Sequence, residues 1–468
     1  MTLQLPKGDL IRRFSILLFL GSLGLNLVLA QAKSGPSQPA SSSCRIEPTD
    51  YKGWQAQQIS NRWVQLIVAP QNGGRLMQVI FGGHPYLFVN PKYEGKYLPP
   101  DPGQWFNYGG DKLWPLPEGK GDEQHWAGGS DVLDDGPYSF RKVSEGRQCE
   151  IELEGQADPR TGIQFLRTIR LDADSPRIRF HATMKNTTGH AVEWSMQSVS
   201  QYDTSDPSAP SRINGDFRTF APANPVSSYL NRYHVRFGPA ENPAVSIRED
   251  GLFTLRYVHM AAELWLDSTA GWLAVVDGGS RYGMVERFQF DESRAYPGKA
   301  SIIFWTNGPE VKLSADGMAT LSSGEEGTPY YLEAEINSPL CRLRPGESCD
   351  LETEWLPART GSEFHAVTDA GIVVHPLRAL RLENGKIALS GSFGVFFAGR
   401  LVAHFYDGHG LSLGSVTVAT VDPVEVVSLE KEIALPGEPA RVSLHVEDGN
   451  GLDRGLVQEV QVGPRENR

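Results

Sequence analysis

Polar and hydrophobic residues alternate along most of this chain. In the stretch "RIRFHATM", Ile178, Phe180, Ala182 and Met184 occupy every second position, and polar side chains fall between them. The shorter runs "CEIEL" and "VSLHVE" alternate in the same way. A period of two is typical of strands that bury one face, and helical periodicity is almost absent after the first thirty residues. The pattern therefore predicts an all-β protein of mostly antiparallel strands.

A change in composition divides the chain near residues 356–371. The segment before this seam is rich in Trp, whereas the last hundred residues contain neither Trp nor Cys. We predict a β-domain over residues 45–357 that is large enough for a double-layer sandwich with a concave face. Residues 365–468 have the length and strand spacing of an immunoglobulin-like β-sandwich. We expect this second unit to be a packing or display module, with an independent binding module as the alternative.

The first thirty residues have the layout of a secretory signal. Lys7, Arg12 and Arg13 precede an apolar run from Phe14 to Ala30, and such a run is short for a membrane span. A Ser-, Pro- and Gly-rich linker follows, so we assign a signal peptide to residues 1–30 and a disordered linker to residues 31–44. This predicts export to the periplasm or the exterior, without a stable membrane span after cleavage. A single-helix anchor is the alternative.

Charge excludes one class of partner. The formal net charge is -12, and removal of the first thirty residues, whose net charge is +2, leaves -14. No basic cluster reverses this balance locally. Because phosphates repel such a surface, we expect no binding to nucleic acid.

Four cysteines, an even number in an exported chain, permit disulfides. We expect Cys341 to pair with Cys349 across a Pro-Gly turn, with the two residues facing each other as in a hairpin. Cys44 would then pair with Cys149 and hold the N-terminal arm. Free buried thiols are the alternative.

The stretch "FNYGGDKLWPLPEG", residues 106–119, is the strongest candidate for a binding loop. Sugars present hydroxyl groups that need donors and acceptors, together with apolar faces that stack on indole rings. Five side chains here and just downstream match that demand: Asn107, Asp111, Lys112, Trp114 and Trp126. The alternative is a rigid structural loop with an Asp-Lys ion pair and a buried Trp.

Sequence motifs of common enzyme classes are missing. The chain contains no HExxH, no Gly-x-Ser-x-Gly, no phosphate-binding loop and no CxxC. Asp134 and Asp135 lack the regular oxygen spacing of a calcium loop, so we interpret them as turn residues. We accordingly predict neither a metal site nor a cofactor.

Three stretches carry a resemblance to a known family: "NGGRLMQVIFGGHPYLF", "NYGGDKLWPLPEG" and "HWAGGSDVLDDGPYS". They are similar to an uncharacterised bacterial domain family placed within the galactose mutarotase-like superfamily. The resemblance covers roughly residues 55–357. It implies a β-supersandwich with a carbohydrate-binding face and, in enzymatic members, a His general acid with a Glu general base.

The resemblance also implies roles for individual residues. Arg75 in "GGRL" would face the sugar, and Glu333 in "YLEAEINSPLCRLRPGES" falls on the general-base position. Gln197 falls where the enzymes have their acid His. A Gln side chain can hydrogen-bond a hydroxyl but cannot deliver a proton, and loss of a positioned acid costs about 10²- to 10⁴-fold in rate. Lys112 and Asp111 are alternative proton donors if burial shifts their pKa values.

Further candidates lie on two predicted strands. In the superfamily, Trp305 and Asn307 of "SIIFWTNG" would lie near the same concave face, with a strand end and turn as the alternative interpretation. Glu335 is two residues from Glu333 and shares its face of a strand, so it is a second candidate carboxylate.

Three hypotheses of function follow. The first is an exported carbohydrate-binding protein of mutarotase-like fold without efficient epimerase activity. The second is an active enzyme on sugars, an epimerase, lyase or hydrolase, that uses Glu333 with an unrecognised acid. The third is a structural envelope protein, which predicts an exposed apolar patch and self-association in place of a polar, Trp-lined pocket.

Overall fold

The structure is a computed structural model that describes residues 43–313, 319–321, 329–361 and 363–464. Those residues contain β-strands and two short 3-10 helices but no α-helix, which confirms the all-β prediction. No helix in the described part of the chain is long and apolar enough to cross a membrane. The predicted signal peptide and nearly all of the linker lie outside the described residues.

The N-terminal strands of the larger part of the chain lie within residues 45–213. They are β1 Arg45–Tyr51, β2 Trp54–Ser60, β3 Val64–Ala69, β4 Arg75–Phe81, β5 His84–Pro85, β6 Asp111–Leu116, β7 Ser139–Ser144, β8 Gln148–Glu154, β9 Ile163–Asp172, β10 Ile178–Asn186, β11 Val192–Asp203, β12 Ser205–Asp206 and β13 Ala209–Ile213. The two 3-10 helices are Pro91–Tyr93 and Pro297–Lys299.

The next strands complete the larger part. They are β14 Phe217–Pro222, β15 His234–Phe237, β16 Val245–Ile247, β17 Leu252–Arg256, β18 Ala262–Leu266, β19 Trp272–Asp277, β20 Tyr282–Phe288, β21 Ile302–Thr306, β22 Val311–Leu313, β23 Ala319–Leu321, β24 Tyr331–Asn337, β25 Cys341–Leu343 and β26 Ser348–Arg359. The C-terminal strands are β27 Ala366–Thr368, β28 Gly371–Arg381, β29 Ile387–Val395, β30 Gly399–Tyr406, β31 Ser412–Val421, β32 Val426–Ile433, β33 Arg441–Glu447 and β34 Asp453–Gln461.

Two large antiparallel sheets form a double-layer sandwich. The first has the order β1-β2-β3-β4-β6-β11-β24-β21-β18-β15, with β5 added to β4 and β25 to β11. The second has the order β16-β17-β14-β19-β20-β26-β10-β9-β8-β7. Strands far apart in sequence, such as β6, β11 and β24, thus become neighbours, and this topology is what assembles the site.

Alternation along the strands fills the space between the sheets. On β10, Ile178, Phe180, Ala182 and Met184 are buried, as the period of two predicts. Phe180 packs on Trp355 of β26 at a ring-centroid distance of 4.9 Å. Aromatic side chains of this size bury about 150–250 Å² each and dominate the hydrophobic stabilisation of such a core.

A charged pair interrupts this apolar core. Asp111 on β6 accepts a hydrogen bond from the guanidinium group of Arg167 on β9, and both side chains are buried. The hydroxyl groups of Ser198 and Ser200 donate to the other carboxylate oxygen of Asp111 at 3.3 and 3.1 Å. The ion pair therefore joins the two sheets and is almost fully desolvated.

A buried carboxyl group lies near this ion pair. Tyr202 on β11 donates its hydroxyl hydrogen to Glu286 Oε1 on β20 at 2.5 Å. Burial, and to a smaller extent the charge of Asp111, raise the pKa of Glu286 to about 8. Glu286 is therefore largely protonated at neutral pH.

The C-terminal strands form two four-stranded sheets, ordered β27-β28-β29-β32 and β31-β30-β33-β34. Their hydrophobic core continues into the larger part of the chain, because Ile372 and Phe393 belong to one buried cluster with Val285 and Leu356 of the second large sheet. A polar contact adds to this packing, since the Nε1 of Trp63 donates to Asp422 at 2.9 Å.

Two disulfides are present, and they join the residue pairs expected from the sequence. Cys44 is bound to Cys149, and Cys341 is bound to Cys349. The expected hairpin around the second pair is wrong, however. β25 pairs with β11 in the first sheet, whereas β26 lies in the second, so this disulfide connects the two sheets.

Candidate functional site

A cavity of about 330 Å³ opens on the exposed face of the first large sheet. Its floor is formed by five adjacent strands, β6, β11, β24, β21 and β18. Loop residues after β5, after β6 and before β21 form its walls. This face is opposite to the one that packs on the second sheet.

The strand register places the polar and aromatic side chains of the floor side by side. Gln197 is paired with Trp114, and Gln201 is paired with Glu333. The row continues from Glu333 to Trp305 on the next strand. Since residues paired across an antiparallel sheet point to the same face, these five side chains share the exposed face of the sheet, and all of them except Gln201 line the cavity.

Four tryptophans line the cavity: Trp105, Trp114, Trp265 and Trp305. Trp114 is held from behind, because its Nε1 donates to Asp134 Oδ1 at 2.8 Å. Trp105 lies at the mouth and exposes 46% of its surface. The cavity therefore offers both fixed and exposed indole faces for stacking.

Four glutamates also line the cavity: Glu118, Glu263, Glu333 and Glu335. Each of the last three accepts a hydrogen bond from a neighbour on the floor. Gln201 Nε2 donates to Glu333 Oε1 at 2.6 Å, Trp265 Nε1 donates to Glu263 at 2.5 Å, and Gln197 Nε2 donates to Glu335. These bonds fix the orientation of the carboxyl groups.

Burial and mutual repulsion favour protonation of the four carboxyl groups. Burial, followed by the charges of the other three glutamates, raises the pKa of Glu335 well above its usual range. Burial also raises the pKa values of Glu333 and Glu263. Although Glu118 exposes part of its surface at the rim, the burial of its carboxyl group and the charges of Glu263 and Glu333 raise its pKa to about 7.

Two cations accompany these carboxyl groups. Lys112 Nζ lies 3.8 Å from Glu333 Oε1 and 4.0 Å from the ring centroid of Trp114. Burial lowers the pKa of Lys112, an effect that the charge of Glu333 opposes. Arg236 lies at the exposed side, with its guanidinium carbon 6.0 Å from the Trp265 ring centroid. With all six groups ionised, the cavity would carry two negative charges in excess.

Two buried polar atoms next to Glu333 have no hydrogen-bond partner among the described residues. They are Lys112 Nζ, a donor, and Gln201 Oε1, an acceptor. Lys112 exposes 1% of its surface and Gln201 none. Buried polar groups are rarely left unpaired, because each costs about 1–3 kcal/mol.

The structure brings five of the residues predicted from the sequence to this cavity. They are Trp114, Gln197, Trp305, Glu333 and Glu335. Lys112 lies on the same face of β6, directly beside Glu333. Gln197 contacts Glu335, so it positions a carboxyl group within the cavity.

Arg75 does not line the cavity. Its guanidinium group is fully buried and contacts Asp134 Oδ1 at 2.7 Å and Asp135 Oδ1 at 3.1 Å. Asp134 also accepts the hydrogen bond from Trp114. Arg75 therefore holds Asp134 in the position in which it binds Trp114, and Asp134 and Asp135 are the ion-pair partners of Arg75.

The remaining predicted residues have structural contacts away from the cavity. Asn107 accepts a turn hydrogen bond from the Gly109 backbone, and Asp111 faces the second sheet. Trp126 is buried against Trp114 at a ring-centroid distance of 5.2 Å. Asn307 Nδ2 donates to a backbone carbonyl at the end of its strand.

The Asp-Lys ion pair considered for the loop does not form. Asp111 and Lys112 are consecutive on β6 and therefore point to opposite faces of the sheet. Asp111 pairs with Arg167 between the sheets, whereas Lys112 pairs with Glu333 on the exposed face.

Sequence reasoning missed four charged or aromatic lining residues besides Trp105: Glu118, Arg236, Glu263 and Trp265. Three of them had a usable signal. In "AELWL" Glu263 and Trp265 are two residues apart and so share one strand face, and Glu118 continues the alternation of Trp114 along β6. Arg236 lies on an irregular edge strand and had no such signal.

No protein-family model matches the chain, and no curated protein matches it. Among solved structures, the chain is similar to a TPR-domain containing protein from Parabacteroides distasonis at 15% identity and a TM-score of 0.43, over 69% of this chain and 54% of that one. The chain thus spans about half the length of that protein.

Two similar structures have mutarotase names. A galactose mutarotase-like protein from Lactobacillus casei matches at 10% identity and a TM-score of 0.41, over 64% of this chain and 99% of that one. A galactose mutarotase related enzyme from Lactobacillus acidophilus matches at 11% identity and a TM-score of 0.41, over 67% and 100%. All three TM-scores lie below 0.5. The superfamily and the domain family therefore remain predictions.

Proposed function

We propose that this protein is an exported carbohydrate-binding protein whose ligand occupies the cavity on the first large sheet. The observation that carries the proposal is the combination of four Trp side chains with four carboxyl groups around one cavity of about 330 Å³. A sugar ring has apolar faces that stack on indoles and an equator of hydroxyl groups that both donate and accept hydrogen bonds.

The lining of the cavity suits hydroxyl groups in particular. Its carboxyl groups and the amide of Gln197 offer both hydrogen-bond donors and acceptors. A hydroxyl group has both functions, so it can pair with any of them. The polar, Trp-lined character of the cavity favours the two sugar hypotheses over an assembly protein, which would instead present an apolar surface patch.

Substitution of Trp305 by Ala is expected to weaken sugar binding at least about tenfold, because a partly exposed indole at the centre of the floor is lost. A glycan array would identify the best ligand, and calorimetry would measure its affinity for both proteins. Trp305 is only partly buried, so the fold should tolerate the change.

Tyr97→Ala is the matched control, since Tyr97 exposes 38% of its surface and lies outside the cavity lining. The Tyr97→Ala variant should bind the sugar with the affinity of the wild type. Absence of binding to any sugar on the array, or equal binding by wild type and Trp305→Ala, would refute the proposal.

A second candidate function is catalysis on sugars, and the protonation of Glu118 favours it. A carboxyl group with a pKa of about 7 can donate a proton near neutral pH, and it lies close enough to Glu333 for the two charges to interact. Pairs of carboxyl groups with different pKa values are suited to general acid-base catalysis. Glu118 would supply the acid that Gln197 cannot.

This candidate predicts that the wild type accelerates anomer interconversion of an aldose and that Glu333→Gln lowers the rate by about 10²- to 10⁴-fold. Polarimetry on several aldoses measures both rates. The epimerase form of this candidate fails if wild type and variant are equally inactive.

A further inference from the structure

The four glutamates of the cavity lie close to only two cations. Arg236 lines the cavity with them, and Lys112 lies beside Glu333. Arg75 is already matched by Asp134 and Asp135. Arg236 is the one cation of the lining among the described residues, so the carboxyl groups are balanced either by protons, which their raised pKa values favour, or by a positive charge on the ligand.

The protein's own cations already show how a positive charge is bound here. Lys112 Nζ lies between a Trp face and a carboxylate, 4.0 Å from the Trp114 ring centroid and 3.8 Å from Glu333. The guanidinium group of Arg236 lies over Trp265, and Trp265 is hydrogen-bonded to Glu263. Indole faces beside carboxylates are the usual recognition elements for ammonium groups.

The cavity is more than a cluster of acidic residues. Four Trp side chains line it beside the glutamates, which indicates a ligand with an apolar ring face. A ligand with hydroxyl groups, an apolar ring face and a positive charge is an amino sugar. A uronic acid, by contrast, would add a fifth carboxylate to four that already repel one another.

We propose that the ligand of this cavity is a glycan that contains a sugar with a free, protonated amino group, and that Glu118 and Glu263 provide its charge selectivity. This inference rests on the proposed function, because it specifies the class of carbohydrate that the same cavity binds. The two glutamates are chosen because Glu118 lies at the open rim and Glu263 is only partly buried. Glu333 and Glu335, in contrast, each expose only 5% of their surface.

The test compares ligands that differ only in one substituent. Glucosamine and galactosamine oligosaccharides are measured against their N-acetylated forms, against the corresponding neutral oligosaccharides with a hydroxyl group at that carbon, and against oligouronides. At pH 7 and low salt, calorimetry should show that an amino form binds at least about tenfold more tightly than its N-acetylated and neutral counterparts, and that uronides bind least. A rise in ionic strength from ~0.02 M to ~0.3 M should weaken the amino form selectively.

The variant Glu118→Gln should reduce the preference for the amino form over the neutral form at least about threefold. Glu263→Gln provides a second, independent variant. Glu352→Gln, on the outer face of the second large sheet, is the control and should bind like the wild type.

The number of protons released on ligand binding tests the proposal independently of affinity. Because an ammonium group near Glu118 favours its ionised form, binding of the amino sugar at pH 7 should release protons, whereas a neutral sugar should not. Calorimetry in two buffers with different ionisation enthalpies measures the number released. The charged and titratable groups around Glu118 are Glu263, Glu333, Glu335, Lys112 and Arg236.

The outcomes separate this inference from the proposed function. Equal or tighter binding of a neutral, N-acetylated or acidic sugar would overturn the inference and leave the carbohydrate-binding proposal intact. Absence of binding to every sugar would overturn both. Preference for the amino form that survives in both Glu118→Gln and Glu263→Gln would overturn the assignment of these two residues.

Discussion

Substitution of Asp111 by Asn is expected to lower the free energy of unfolding by about 3–5 kcal/mol, since it leaves the buried charge of Arg167 without a counter-ion. Arg167 exposes 3% of its surface, so water cannot replace the lost carboxylate. Urea denaturation followed by Trp fluorescence measures the change.

Glu94→Gln is the matched control for this prediction. Glu94 forms an ion pair with Lys52 at 2.6 Å, but both side chains are substantially exposed. Exposed pairs contribute about 0–1 kcal/mol, so the control should lose little stability. A similar loss in both variants, or a loss below about 1 kcal/mol in Asp111→Asn, would contradict the importance of the buried pair.

The second large effect is a dependence of stability on pH through Glu286. Its pKa is about 8 in the folded protein against 4.5 as the ordinary value. The folded state therefore binds a proton that the unfolded state releases between these two values. The stabilisation is fully present below about pH 4.5 and is lost as pH rises to about 8, with a slope of about 1.4 kcal/mol per pH unit.

Glu286→Gln should abolish this contribution, because the amide cannot ionise and still accepts the hydrogen bond of Tyr202. The difference in unfolding free energy between wild type and variant, measured from pH 5 to pH 9, isolates this group from the others that titrate. The variant should be less sensitive to rising pH than the wild type. Parallel curves for the two proteins would show that Glu286 is not protonated in the fold.

Tyr202→Phe tests the direction of the same effect. The hydroxyl of Tyr202 stabilises the charged form of Glu286, so its removal should raise the pKa of Glu286 further. The pH-dependent loss of stability should then extend to higher pH than in the wild type. A shift to lower pH would contradict the assigned donor and acceptor.

Alternation of polar and apolar residues was sufficient to predict the fold class. A strand that buries one face needs an apolar residue at every second position, and β10 has this pattern over its whole length. The same rule, applied to "AELWL" and to the end of β6, would have added Glu263, Trp265 and Glu118 to the candidate site. Arg75 shows the limit of analogy, because its charge is satisfied by Asp134 and Asp135 within the protein.

The sequence by itself determined which residues could share a strand face, since that depends only on the period of two in an extended backbone. It paired Glu333 with Glu335, whereas the separation of Asp111 from Lys112 became evident only once residues 111–116 were seen to form a strand. Only the tertiary structure decided which strands are neighbours. β6, β11, β24, β21 and β18 are distant in the chain, and their order in the sheet results from long-range pairing that local propensity does not encode. That order brings three Trp and three Glu side chains together in one cavity, to which loops add Trp105 and Glu118. The packing of the second sheet on the first places Arg167 opposite Asp111.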